Sequence, residues 1–128
     1  MLIKISFRIK YLNLYICFYA DVLKIIDKKL KNKRIKWIVA GSTSLCLQGI
    51  KTGKGNDIDI ATTKEGAFKI NEIFKKYEIK PVKFSKIRII KSYRGILKIK
   101  NIEIDAMGEL SEKVGNKWVN VSRQRLKS

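Results

Sequence analysis

Apolar residues change their spacing repeatedly along this chain, and each change marks an element. Between residues 21 and 33 they fall at Val22, Leu23, Ile25, Ile26 and Leu30 with lysines between them, a stripe that predicts a helix lying on a sheet. Residues 35–40 are a nearly continuous apolar run, which predicts a central strand covered on both faces. The chain then turns small and polar at Gly41-Ser42, and residues 42–48 predict a short helix that stops at Gly49. Residues 51–56 read as a loop leading into Asp57-Ile-Asp-Ile-Ala61. Side chains two apart on a strand point the same way, so Asp57 and Asp59 share one face and Ile58 and Ile60 the core face. Thr62-Thr63-Lys64-Glu65 has capping-box spacing and predicts a helix to about Tyr77, with Ala67, Ile70, Ile73 and Phe74 as its apolar stripe. Pro81 closes that region.

Further strands are expected at 87–91, 96–99, 102–106 and 117–121, with Lys100-Asn101 as a two-residue hairpin turn. In the 102–106 strand Ile102 and Ile104 lie on one face and Glu103 and Asp105 on the other. The pattern predicts an α/β (α+β) fold: a mixed sheet with helices mainly on one face. Residues 1–20 are poorly defined, although 1–8 alternate well enough for a strand. The expectation there is an extended segment, or a start upstream of the true domain, followed by one domain over 21–128.

Bulk properties narrow the chemistry. A chain of 128 residues, 45% hydrophobic with a single proline, suits one folded domain rather than two. A net charge of +18 raises nucleic acid as a partner. The lysines are nevertheless spread along the whole chain beside abundant isoleucine and asparagine, which reads as a compositional habit. The dense run at 28–36 suits a solvated helix face as well as a binding patch. The two cysteines, Cys17 and Cys46, sit in apolar runs as small buried thiols without metal spacing. There is no histidine, which excludes histidine triads and most zinc sites. The apolar stretch 11–20 superficially imitates a signal peptide but is too short to span a bilayer, so a cytoplasmic protein without a membrane partner is expected.

The chemistry-bearing residues are few. Asp57 and Asp59, side by side, repel each other and resist burial unless something neutralises them. A divalent cation does so, and Mg²⁺ prefers a few carboxylates plus substrate phosphates. Gly41-Ser42 at a helix start offers N–H groups to phosphate. Each feature has a bland reading: a solvated strand face for the two aspartates, an N-cap for Ser42, an exposed strand carboxylate for Asp105. Their order along the chain favours a common site. Glu103 reads as peripheral, Trp37 and Trp118 as core residues, and Lys54 and Arg88 as basic groups within possible reach of phosphate.

In this order the motifs Ala40-Gly41-Ser42, Asp57-Ile58-Asp59-Ile60 and Ile104-Asp105-Ala106 resemble the nucleotidyltransferase superfamily with the DNA polymerase beta-like fold. Gly41-Ser-Thr-Ser-Leu-Cys-Leu47 is most similar to small bacterial and archaeal members of the lincosamide and abortive-infection type. The resemblance implies a minimal Mg²⁺-dependent nucleotidyltransferase that moves a nucleoside monophosphate from a nucleoside triphosphate, ATP above all, to a hydroxyl. It implies Asp57, Asp59 and Asp105 as catalytic and metal-binding residues for two Mg²⁺ ions, with Asp105 able to act as base. Gly41, Ser42 and Thr43 would bind the nucleotide. The loop before Asp57 is slightly longer than the family's pattern, and the helical domain that grips the acceptor in larger members has no counterpart here. The acceptor, whether partner protein, small molecule or RNA, would then be held by a partner chain or a second copy. The alternative is a catalytically silent module of the same fold that binds a partner protein or nucleic acid.

Overall fold

The structure, a computed structural model, describes residues 20–40 and 57–126. Helix α1 (Ala20–Leu30) buries Val22, Leu23, Ile26 and Leu30 against the sheet. Left-handed backbone at Asn32 (φ 64°) and Arg34 (φ 58°) follows it and turns the chain into β1 (Trp37–Ala40). After β2 (Asp57–Thr62) come α2 (Lys64–Ile73), a 3₁₀ turn (Lys75–Tyr77), β3 (Glu78–Ile87), β4 (Ile90–Ile99), β5 (Ile102–Val114), β6 (Lys117–Asn120) and α3 (Val121–Arg125).

The strands form one mixed sheet in the order β1-β2-β5-β4-β3, with β6 added to β5. The β2–β5 pair is parallel and the other pairs are antiparallel. Two long strands meet at the predicted turn, where Lys100 (φ 50°) and Asn101 (φ 65°) both take positive φ, as a type I′ hairpin requires. On one face Val39, Ile58, Ile60, Leu97, Ile99, Ile104 and Ala106 pack beneath the apolar stripes of α1 and α2. Burying each such isoleucine or leucine contributes about 1.5–3 kcal/mol, so this face carries most of the stability. On the other face a smaller cluster joins Ile38, Ala61 and Leu126. Gly108 lets β5 pass close to the first turn of α2. A Cβ there would lie 2.7 Å from the Thr63 carbonyl oxygen and 2.9 Å from the Ala67 Cβ.

Several expectations need correction. Strand β1, expected to be central, stands at the end of the described sheet, next to β2. Its Ile38 and Val39 are nonetheless both buried, one in each cluster. The N-cap of α2 is Thr63, whose hydroxyl accepts from Gly66 N at 2.9 Å. Thr62 instead donates to the Lys36 carbonyl at 2.7 Å, so the capping frame is shifted by one residue. Pro81 lies inside β3, which is an edge strand of the described sheet with register shifts around that position. A missing N–H is tolerated there. Residues 87–91 are the β3–β4 turn region rather than a strand of their own, with Arg88 at φ 52°. Trp118 is no core residue: Lys91 and Lys86 lie over its ring at 4.3 and 5.5 Å. Trp37 does pack against the main core.

The predicted helix at 42–48, its stop at Gly49, the 51–56 loop with Lys54, residues 1–19, Cys17 and Cys46 lie outside the described residues. So do Gly41, Ser42 and Thr43. No helix among the described residues is long and apolar enough to cross a membrane.

Candidate active site

Parity and register together build the acidic face. Ile58, Ile60 and Ile104 are fully buried, which forces the alternate positions of β2 and β5 to the opposite side of the sheet. The parallel register then aligns the two acidic pairs, Asp57 with Glu103 and Asp59 with Asp105. Adjacent strands lie about 4.8 Å apart, so Asp59 and Asp105 are side-by-side neighbours. Asp57 lies two residues from Asp59 along the same face. A one-residue slip of either strand would drive these carboxylates into the core, which is why the apolar positions hold the acidic ones in place. Asp57 and Glu103 are exposed, whereas Asp59 and Asp105 are half-buried. Strand β1 ends beside them, with Ala40 in register with Asp59, and the chain continues from there into Gly41.

The electrostatics of the three aspartates are unequal. Burial pushes the Asp59 carboxyl up from 3.8 to about 6, and the neighbouring charges of Asp105 and Asp57 push the same way. Arg94 opposes them only in part. Asp105 is held by Arg94 on β4, whose Nε donates to Oδ1 at 2.8 Å and to Oδ2 at 2.9 Å. The Arg94 Nη2 donates to Oδ2 at 2.7 Å. That hydrogen bonding to Asp105 raises the Arg94 pKa above its ordinary value, with the charges of Asp105, Asp59 and Glu103 adding to it. The grip is bidentate, the strongest form of carboxylate recognition by a side chain.

Arg94 was missed by sequence reasoning, although a signal for it exists. The two-residue turn at Lys100-Asn101 sets the β4–β5 register, pairing Lys98 with Glu103 and Ile96 with Asp105. Counting two further along β4 brings Arg94 onto the same face, diagonal to Asp105. Glu103, read from the sequence as peripheral, is exposed and stands across the ladder from Asp57 on one side and Lys98 on the other. Arg88 lies in the turn at the far end of β4, away from the acidic row.

The donor set suits a hard divalent cation in its chemistry. Asp57 and Asp59 share one face, and the raised pKa of Asp59 reflects burial first and the charges of Asp105 and Asp57 second, a penalty that a cation would relieve. Among the described residues no group of three or more acidic, cysteine or histidine side chains is already arranged to hold a metal. The engagement of Asp105 by Arg94 occupies lone pairs that a cation would need. The Asp57 and Asp59 carboxylates fit a hard divalent cation by their donor chemistry, and Asp105 would join them once a lone pair is available.

The comparisons with known proteins agree with this architecture. The model of the aminoglycoside-2''-adenylyltransferase family matches residues 21–124, from α1 into α3. A solved structure from Thermotoga maritima, of a protein assigned to the nucleotidyltransferases, superposes with a TM-score of 0.74. It is 38% identical over 80% of this chain and 63% of its own, so the present chain spans less than two thirds of that relative. None of the curated proteins matches.

Proposed function

This chain belongs to the aminoglycoside-2''-adenylyltransferase family of nucleotidyltransferases, and from that membership we propose that it transfers a nucleoside monophosphate from a nucleoside triphosphate, ATP first, to a hydroxyl acceptor. The observation that carries the reading is the row of carboxylates: Asp59 registered against Asp105 on parallel strands, with Asp57 on the same face. In this reading Asp57, Asp59 and Asp105 would hold two Mg²⁺ ions, and Gly41, Ser42 and Thr43 would bind the triphosphate.

The transfer balances simply. The acceptor oxygen attacks the α-phosphorus, the bond from that phosphorus to the α,β-bridging oxygen breaks, and pyrophosphate departs with the electron pair. The hydroxyl proton passes to a carboxylate, Asp105 in the first instance. Asp57, Asp59 and Asp105 would hold the divalent ions, which would supply charge neutralisation for the attacking and leaving oxygens. The protein's own work is to fix the carboxylates on a rigid sheet so that positioning costs nothing at the moment of reaction. Such a protein would act in the cytoplasm, where nucleoside triphosphates are abundant. A partner chain or second copy would complete the acceptor side.

The test uses ATP labelled at the α- or the γ-phosphate with Mg²⁺ and a lysate of the source organism as acceptor pool. Label is expected to transfer from the α position alone and to fall to background in Asp59→Ala. Equal labelling by the wild type and that variant would remove the reading. A second reading, a silent module binding a partner protein or nucleic acid, is favoured by the engagement of Asp105 with Arg94. It predicts salt-sensitive partner binding that is unchanged in Asp59→Ala.

A further inference from the structure

Arg94 stands on the carboxylate face and has no part in the reaction as proposed, yet it contacts one of the proposed reacting groups most closely. Its Nε and Nη2 make three contacts of 2.7–2.9 Å with the two oxygens of Asp105. An ionised carboxylate offers about four lone-pair sites in all, so most of this one's acceptor capacity is committed. A cation ligand needs a lone pair aimed at the ion, and a base needs one aimed at the proton it takes. A guanidinium also repels a divalent ion placed on the same carboxylate. Asp105 therefore cannot serve both partners fully at once.

The surroundings allow a choice between them. The Arg94 side chain is 37% exposed, against 18% for Asp105, so the guanidinium can move towards water at modest cost whereas the carboxylate stays in the sheet. Arg94 also stands in register with Lys83 on β3, a neighbour of like charge that does not help to retain it. The sheet fixes the backbone of both strands, leaving the Arg94 side-chain torsions as the freedom by which the contact is made or broken.

We infer that Arg94 competes with a divalent cation for Asp105, so that filling the carboxylate face with a cation requires the guanidinium to turn away. Arg94 is thus a positioning residue that sets how readily Asp105 becomes available. This rests on the proposal that Asp57, Asp59 and Asp105 are cation ligands, and the experiment separates failure of the two. Binding of Mn²⁺ to the chelator-treated full chain, without nucleotide, is followed by the paramagnetic resonance signal of the free ion. Circular dichroism checks folding of each variant. Arg94→Met, which keeps the length and removes the charge, is expected to bind Mn²⁺ about 10-fold more tightly, the scale on which groups touching a metal's ligands shift affinity. Arg94→Lys cannot grip both oxygens and is expected between the wild type and Arg94→Met, which keeps the test open should the methionine variant fold poorly. Unchanged or weaker binding in both variants, with binding still abolished by Asp59→Ala, would overturn the competition and leave the carboxylate site intact. Binding that ignores Asp59→Ala, or no binding by any variant, would overturn the site and the competition together.

Discussion

The two faces of β2 and β5 are written in the same few residues and do opposite things. On one side Ile58, Ile60 and Ile104 are completely buried under α1 and α2 and stabilise the fold. On the other, Asp57, Asp59 and Asp105 crowd like charges onto a partly buried surface, and the raised pKa of Asp59 reports that cost. Strand alternation lets one stretch of chain carry both, because period two keeps the faces from mixing. The division implies that substitutions on the two faces should fail in different assays. The largest expected effect is on activity: Asp59→Ala should lower nucleotidyl transfer by about 10³-fold or more, roughly 4 kcal/mol of transition-state stabilisation, while the melting temperature holds or rises. A parallel loss of melting temperature would show that Asp59 supports the fold and would break the comparison.

Ile104→Ala attacks the other face. It should cost about 2–5 kcal/mol of stability through lost burial and a residual cavity, read as a fall in the urea midpoint. Ile104 and Asp105 are adjacent in sequence, so the pair tests the division within a single dipeptide. A loss below 1 kcal/mol would mean that α1 and α2 close over the gap and that this face is not the dominant source of stability.

Asp59→Asn sharpens the comparison through pH. The folded-state pKa of about 6 lies above the ordinary value of 3.8, so the folded protein binds this proton more tightly than the unfolded chain does. Ionised Asp59 therefore destabilises the fold. The penalty is absent below pH 4, grows as pH rises and is complete above pH 6. In chelator-containing buffer Asp59→Asn should be more stable than the wild type by about 1–3 kcal/mol at pH 7.5, with the difference fading by pH 4. A difference independent of pH would assign the effect to packing rather than to charge.

These contrasts also mark what the sequence could and could not reveal. The alternations at 57–60 and 102–105 were legible because burial of every second residue leaves a local trace, and Lys100-Asn101 was legible because few residues accept two successive positive φ angles. The place of β1 was not. An apolar run reports burial on both faces but says nothing of how many strands lie beyond it, and here both faces are covered even though the described sheet ends at β1. Strand β3 was hidden because its Lys80, Pro81, Lys83 and Lys86 are exposed at an edge of the described sheet, where packing demands little apolar alternation. The isoleucines at 87, 89 and 90 imitate a strand while flanking a turn made by Arg88 at φ 52°. Arg94 was obscured for a different reason: its partner lies across a ladder, and only the hairpin register connects them.

The smallest expected effect concerns Thr62 and Thr63, where two identical side chains in succession divide their work as the two sheet faces do. Thr63 caps α2 by accepting the Gly66 N–H at 2.9 Å. Thr62, fully buried, ties β2 to the segment before β1 by donating to the Lys36 carbonyl at 2.7 Å. Capping box spacing alone pointed to Thr62, because Glu65 stands three residues after it. The φ/ψ of −77° and 167° at Thr63 are instead those of an N-cap. Thr63→Ala should therefore cost about 1 kcal/mol, measured by chemical denaturation. Thr63→Asn should restore most of it, since a short carbonyl oxygen can accept the same N–H. If Thr63→Ala were neutral and Asn gave no rescue, the hydroxyl would contribute no capping energy, and α2 would be held by Ala67, Ile70 and Phe74 on the buried face alone.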